Sequence, residues 1–251
     1  MYFLEEALLN HSNLTVIILA AGKGTRMESD LPKVLHTINN KPILQTVIDT
    51  SLTLFPEKIL IIVGYKKELV INQIKSNKII SYINQKEQRG TGDAIKYCLD
   101  ELSSDKDVLI LSGDVPLITS KTLKEFINQY KKNNSSASLI STNISDPKGY
   151  GRIIRKNKSN LLKIVEHKDA NSEELNIKEI NSGIYLIKSQ IIKNKIPLIK
   201  NNNIQKEYYL TDIFNFIKSE ETHIYNINNS LEISGINTLE QLKFAEKIYN
   251  E

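Results

Sequence analysis

A single cysteine, Cys98, stands in 251 residues. One thiol excludes an internal disulfide and any thiolate metal cluster. A chain of this length buries most of its apolar surface, so its fold needs no such staple. Long apolar runs are also missing: none approaches the roughly 18 residues of a membrane helix. The N-terminal segment lacks the charged and apolar regions of a secretory leader. A cytoplasmic, reduced setting is expected, with no membrane partner. Charge of one sign is scarce too. Lys and Arg number 33 against 29 Asp and Glu, a net of +4, too small an excess for a nucleic-acid footprint. No internal repeat is present, and no hexapeptide repeat of a parallel β-helix. The histidines (His11, His36, His167, His223) are scattered, and none forms a convincing nucleophile pair with Ser or Cys. His167 reads as structural or supporting. Cys98 falls at helical spacing with Ala94, Ile95, Leu99 and Leu102, and reads as a buried structural thiol rather than a nucleophile.

What is present is an alternation. Thr15–Ala20 is a continuous apolar run followed closely by Gly22, the pattern of a strand buried on both faces. Lys41–Leu54 has helical spacing. Lys58–Val63 is a second buried strand, Lys66–Lys75 a helix, and Ile79–Asn84 a third strand. Thr91–Leu102 reads as a helix and Asp107–Ser112 as a fourth strand. Such alternation predicts an α/β fold, a Rossmann-like, mostly parallel sheet with helices on both faces. Ligands of such sheets bind beyond the carboxyl ends of the strands. Three strands are followed there by unusual segments: Gly22–Arg26, Gln85–Gly92 and Ser112–Asp114.

The second half is less regular. Thr119–Lys131 reads as a helix and Ala137–Thr142 as a strand. Shorter strands follow at Arg152–Arg155, Leu161–Glu166 and Ile180–Ile187. Tyr208–Lys218 is expected to be helical, His223–Ile227 a strand, and Thr238–Tyr249 the final helix. The organisation expected is an extension over 1–14 and one compact domain over 15–251, with a substrate lobe set into it.

The loop Gly22-Lys23-Gly24-Thr25-Arg26 follows a buried strand. Glycines let backbone approach an anion closely, and successive N–H groups can form an anion nest. A Walker A loop is absent, and Met27 stands where a dinucleotide fingerprint needs its third glycine. What remains is a phosphate loop with two cations, Lys23 and Arg26, or a tight turn with solvated charges. Lys33 follows Pro32, whose fixed φ stiffens the chain, and could clamp a second phosphate. Asp114 lies just past a strand end. Mg²⁺ takes one or two carboxylates and fills its remaining positions with water and phosphate, so Asp114 suits it. An isolated Gly-Asp pair is more often a turn.

The motifs Leu19-Ala-Ala-Gly-Lys-Gly-Thr-Arg-Met27, Asp30-Leu-Pro-Lys33, Gly90-Thr-Gly92, Gly113-Asp-Val-Pro116, Gly149-Tyr-Gly-Arg152, Val165-Glu-His-Lys-Asp169, Glu179-Ile-Asn-Ser-Gly183 and Glu207-Tyr-Tyr-Leu-Thr-Asp212 occur in this order. Together they resemble the N-acetylglucosamine-1-phosphate uridyltransferases, from about residue 15 to the C-terminus. The first motif marks sugar-phosphate nucleotidyltransferases broadly; the later ones are more specific. The resemblance implies a nucleotide-diphospho-sugar transferase fold with a sugar-binding lobe. It implies transfer of a uridylyl group from UTP to N-acetylglucosamine 1-phosphate, with Mg²⁺, for cell-envelope precursors. Leu19, Ala20, Ala21 and Gly22 would line the nucleotide, with Ser112 and Gly113 beside it. Gln85, Gly90 and Thr91 would hold the uracil. Arg26 would steady the leaving pyrophosphate and Lys33 the reacting phosphates, with Asp114 the third catalytic residue. Asp114 and Asn237 would hold the metal. Gly151, Glu166 and Asn181 would meet the sugar, with Tyr150 packed nearby. Asn237 would otherwise read only as a helix cap.

The chain departs from that pattern at Arg89, where a small or apolar residue is commoner, and at Ser112, where an aromatic is often found. In many bacteria this activity is half of a bifunctional protein whose β-helix carries acetyl transfer. No acetyl transfer is expected of the residues here, and the oligomeric state is left open. Rival readings are a nucleotidyltransferase for another sugar, such as glucose 1-phosphate, and a non-catalytic nucleotide-sugar sensor. An oxidoreductase is disfavoured by Met27.

Overall fold

The structure, a computed structural model, describes residues 13–250; most of the expected 1–14 extension, with His11, lies outside them. The strands, in chain order, are β1 (Leu14–Leu19), β2 (Thr37–Ile38), β3 (Lys41–Pro42), β4 (Lys58–Val63), β5 (Ile80–Asn84) and β6 (Asp107–Ser112). They continue with β7 (Ala137–Asn143), β8 (Arg152–Arg155), β9 (Leu161–Val165), β10 (Glu179–Lys188) and β11 (Thr222–Ile227). The helices are α1 (Ile43–Leu52), α2 (Lys67–Gln73), α3 (Thr91–Lys96), α4 (Ser120–Lys132), α5 (Ser172–Leu175), α6 (Ser189–Lys195) and α7 (Leu239–Asn250).

Nine strands form one sheet, whose main path runs β11-β7-β10-β6-β1-β4-β5. The four strands of the first half are parallel, β1 lying between β4 and β6, with β5 outside β4. β10 interrupts the parallel order. It runs antiparallel between β6 and β7, while β11 returns parallel to β7. β8 branches from β10 and carries β9, which makes the lobe.

Side chains alternate across a strand, so the central strands feed two cores. Leu14, Val16 and Ile18 pack on one face with Leu44, Val47, Ile48 and Phe126. Ile17 packs on the other with Ala94, Ile95, Cys98, Leu210 and Phe214. The central strands are therefore apolar at nearly every position, which is why they are legible as continuous runs.

Three elements differ from expectation for identifiable reasons. The helix expected from Lys41 starts at Ile43. Asn39 and Asn40 have φ of 50° and 61°, as a two-residue hairpin turn requires, so Lys41 and Pro42 pair with Thr37 and Ile38 instead. The helix expected over Thr91–Leu102 stops at Lys96, and a short 3-10 turn over Leu99–Glu101 follows Cys98. Cys98 is nevertheless buried, and burial pushes its thiol up to about 12, the opposite of what a nucleophile needs. The helix expected over Tyr208–Lys218 is 3-10 structure over Leu210–Phe216. Tyr208 cannot start it, because its N–H donates to the Arg89 carbonyl and its own carbonyl accepts from Gly92 N–H.

Candidate active site

The carboxyl ends of the parallel strands are stitched together by backbone. Ala20 N–H donates to Ile62 O at 2.9 Å, Gly113 N–H to Leu19 O at 2.9 Å, and Gln85 N–H to Val63 O at 2.8 Å. Beyond these ends lies a cavity of about 290 Å³, near the lower end of the range for small-molecule sites. Leu19, Ala20, Ala21, Gly22, Lys33, Gln85, Gly90, Thr91, Ser112 and Asp114 all line it. Sequence reasoning had not singled out Val34, Ile62, Gln88, Ala94 or Glu207, which complete the wall. Only Gln88 and Glu207 carried a signal, by lying inside segments already marked.

At the cavity wall the Lys33 ammonium donates to Asp114 Oδ2 and, at 2.9 Å, to Asn237 Oδ1. Arg26 Nη2 donates to the same Asn237 oxygen at 2.8 Å. Local sequence explains the meeting. Gly24 takes the left-handed φ of 68° and turns the chain into a 3-10 turn over Thr25–Met27. Met27 is fully buried beside Ile38, Ile43 and Ile236 and anchors that turn. Pro32 precedes a second turn, in which Val34 and Leu35 are buried and Lys33 is left facing the site. Ile236 N–H donates to Asp114 O at 2.8 Å and brings Asn237 alongside. The helix-cap role belongs to Thr238, whose Oγ1 accepts from Gln241 N–H while Gln241 Oε1 accepts from Asn237 and Thr238 N–H. This capping box frees the Asn237 side chain for the cluster. Lys23 does not join it; its ammonium lies 5.5 Å from the Tyr65 ring centroid.

Asp114 and Asn237 thus already converge on one cation. Oxygens that share an ammonium present the hard, negative donors that Mg²⁺ takes. Among the described residues no group of three or more His, Cys, Asp or Glu could hold a metal. A divalent ion here would take its remaining ligands from water and phosphate.

A second cluster lies on the lobe. Asn181 N–H donates to Gly151 O at 2.9 Å. A side chain on Gly151 would come within 3.4 Å of the Glu166 carboxylate. Thr211 Oγ1 donates to Glu166 Oε1 at 3.0 Å, and Asn181 Nδ2 donates to the Tyr185 hydroxyl oxygen at 2.6 Å. Burial pushes the Glu166 carboxyl up from its ordinary value, and the Tyr185 phenol likewise. β10 shifts register between Asn181 and Tyr185, and Gly183 there has φ of 78°. Ser112 Oγ approaches Gly183, so the bulge joins the lobe cluster to the cavity. Thr211 and Tyr185 had no assigned role; Thr211 sat in a quoted motif, and Tyr185 gave no signal. Tyr150 is half-buried beside Asp114 and Arg26, as the burial and charge effects on its phenol show. His167 Nδ1 is buried and has no hydrogen-bond partner among the described residues.

The two halves of the chain meet at the loop over 85–92. Gly92 N–H donates to Tyr208 O at 2.7 Å, Tyr208 N–H to Arg89 O at 2.8 Å, and Leu210 N–H to Thr91 Oγ1 at 3.0 Å.

A glycine loop, paired cations and a lone carboxylate lie at the switch edge of this mixed sheet, whose architecture is the nucleotide-diphospho-sugar transferase fold. The chain belongs to the nucleotidyl transferase family, whose model matches residues 15–232. It is 44% identical over 247 residues to the bifunctional protein GlmU of Buchnera aphidicola subsp. Baizongia pistaciae, covering 97% of this chain and 54% of that protein. Against the bifunctional protein GlmU of Thermoanaerobacter pseudethanolicus it is 43% identical over 236 residues, 94% of this chain and 51% of the relative. The chain therefore spans about half the length of the curated relatives it matches. A UDP-glucose pyrophosphorylase solved with UDP-glucose superposes with a TM-score of 0.76 at 18% identity, covering 94% of this chain and 98% of that one. HddC from Yersinia pseudotuberculosis superposes with a TM-score of 0.68 at 21% identity, covering 94% and 99%. These two likenesses concern the fold alone. Among the described residues no helix is long and apolar enough to cross a membrane.

Proposed function

We propose that this chain, with residues 15–251 as its catalytic unit, transfers a uridylyl group from UTP to N-acetylglucosamine 1-phosphate. The products are UDP-N-acetylglucosamine and pyrophosphate, and the setting is cytoplasmic supply of cell-envelope precursors. The observation that carries the reading is the meeting of Arg26, Lys33, Asp114 and Asn237 at the wall of the cavity that Gln85, Gly90 and Thr91 also line.

The sugar phosphate attacks the α-phosphate of UTP in line, and pyrophosphate leaves. Such transfers require positioning and charge stabilisation rather than a protein nucleophile. Two highly charged phosphate groups must approach each other. Arg26 steadies the pyrophosphate and Lys33 the reacting phosphates, in a site where reduced dielectric makes each cation count for more. Asp114 and Asn237 would hold Mg²⁺, which when bound would offset phosphate charge as a Lewis acid. The backbone of Leu19–Gly22, with Ser112 and Gly113, flanks the nucleotide, and Gln85, Gly90 and Thr91 hold its uracil. Gly151, Glu166 and Asn181 bind the sugar.

Pyrophosphate release from UTP, N-acetylglucosamine 1-phosphate and Mg²⁺ tests the reading. Activity should depend on both substrates, and EDTA should abolish it. Full activity in EDTA would sink the mechanism, and a preference for an unacetylated sugar 1-phosphate would replace the substrate. Asp114→Ala should abolish turnover while nucleotide binding is largely kept. A wild type that binds UDP-sugar yet releases no pyrophosphate would be a sensor.

A further inference from the structure

The amide of Gln85 is oriented by two groups that can only accept. Its Nε2 lies 3.3 Å from the Gly90 carbonyl oxygen and 3.2 Å from Asp93 Oδ2. Both require an N–H, so the nitrogen faces them and the carbonyl oxygen Oε1 is turned away. Among the described residues none donates to that oxygen, and Gln85 lines the nucleotide cavity.

The Asp93 side chain is 1% exposed. A carboxylate so buried needs a partner to offset its desolvation. Its partner is Arg89, whose Nη2 donates to the other oxygen, Oδ1, at 2.9 Å. Arg89 is placed in turn by its carbonyl, which accepts from Tyr208 N–H, and by the Tyr208 ring, whose centroid lies 5.8 Å from the guanidinium carbon. Arg89 was the departure noted in the sequence beside this loop. Asp93, four residues on, accounts for it: the two form an ion pair behind the base-facing glutamine.

We propose that Asp93, held by Arg89, is the positioning residue that sets base selectivity. It locks Gln85 with an acceptor toward the cavity. Uracil has an N–H donor at ring position N3, and cytosine has a lone pair there. The lock therefore favours uracil, because cytosine meets acceptor with acceptor and leaves polar groups unpaired. The inference rests on the uridylyl-transfer reading and deepens it.

The test compares UTP with CTP, at saturating N-acetylglucosamine 1-phosphate, in wild type, Asp93→Asn and Arg89→Met. The amide introduced by Asp93→Asn can donate as well as accept, so the stronger, charged half of the lock is lost and only the Gly90 carbonyl still favours one orientation of Gln85. The ratio of kcat/KM for UTP over CTP should fall at least about tenfold, mostly through KM. A merely structural lesion would lower both activities and leave the ratio alone. Circular dichroism and Tm establish that each variant is folded. Should Asp93→Asn not fold, Arg89→Met carries the test, since the Arg89 side chain is half exposed and its loss removes the partner that fixes the Asp93 carboxylate against Gln85. An unchanged ratio in a folded variant overturns the proposal. If the wild type turns over neither nucleotide, the proposed function fails instead, and calorimetric binding of UTP against CTP to the same variants decides the lock by itself.

Discussion

Lys33 supplies the ammonium that lies between Asp114 and Asn237, so on the proposed function it would compete with a divalent ion for the same two oxygens. Lys33→Met should raise the Mn²⁺ affinity of the nucleotide-free protein about threefold, a gain of about 0.65 kcal/mol and on the scale of a partly exposed ion pair. Electron paramagnetic resonance of free Mn²⁺ reads it, and an unchanged affinity would show that the ammonium does not compete. Glu166 makes a second prediction. Burial raises its carboxyl above the ordinary value, so the fold favours its protonated form. That contribution is full below the unfolded carboxylate range and is lost as pH rises through the raised value. A permanently neutral Glu166→Gln should therefore raise Tm at about pH 8 and change it little at about pH 4. Thermal denaturation at both values checks the sign, and an equal shift at each would refute the cause. At this scale the sequence shows which residues carry charge but not which ones meet. Arg26 and Lys33 could be paired with phosphate on their own chemistry, whereas Asn237 needed the family resemblance, because its use depends on Thr238 taking the cap.

The loop after β5 and the strip over 207–210 behave as one element. A Cβ on Gly90 would stand 2.6 Å from Tyr208 O and 2.8 Å from Tyr208 N, at a φ of 115°. Both neighbours are backbone and cannot yield cheaply. Gly90→Ala should cost about 1–3 kcal/mol and raise KM for UTP more than KM for the sugar phosphate. Chemical denaturation and steady-state kinetics measure the two effects, and a stable variant with unaltered KM would contradict the clamp. This coupling also explains what periodicity could reveal. The central strands are buried on both faces by the two cores, so their apolar runs identify them locally. Leu210–Phe216 has helical spacing yet is 3-10 structure, because Tyr208 commits its backbone to residues far away in sequence. α5, with four residues, is too short for a period to emerge.

Across the whole molecule, the parallel half was legible from alternation, and the rule that ligands sit beyond strand ends located the cavity before any contact was known. The antiparallel insertion of β10 was not legible, since strand direction is a tertiary choice. It places Asn181 on the lobe and Gly183 against Ser112. The order of assembly follows from the same topology. Residues 14–84 hold three adjacent parallel strands whose pairings close loops of 43 and 21 residues, against 85 for β11 on β7 and 119 for Tyr208 on Arg89. Pulse-labelled hydrogen exchange during refolding should protect β1, β4 and β5 amides before those of β11, and the reverse order would contradict this sequence of events. The loop over 85–92 cannot be set by the early half, because its backbone is held from Tyr208 and Leu210. A nascent chain still lacking that strip has a sheet but no finished pocket. On the proposed function, nucleotide binding would therefore report that the chain as far as Leu210 has reached its place.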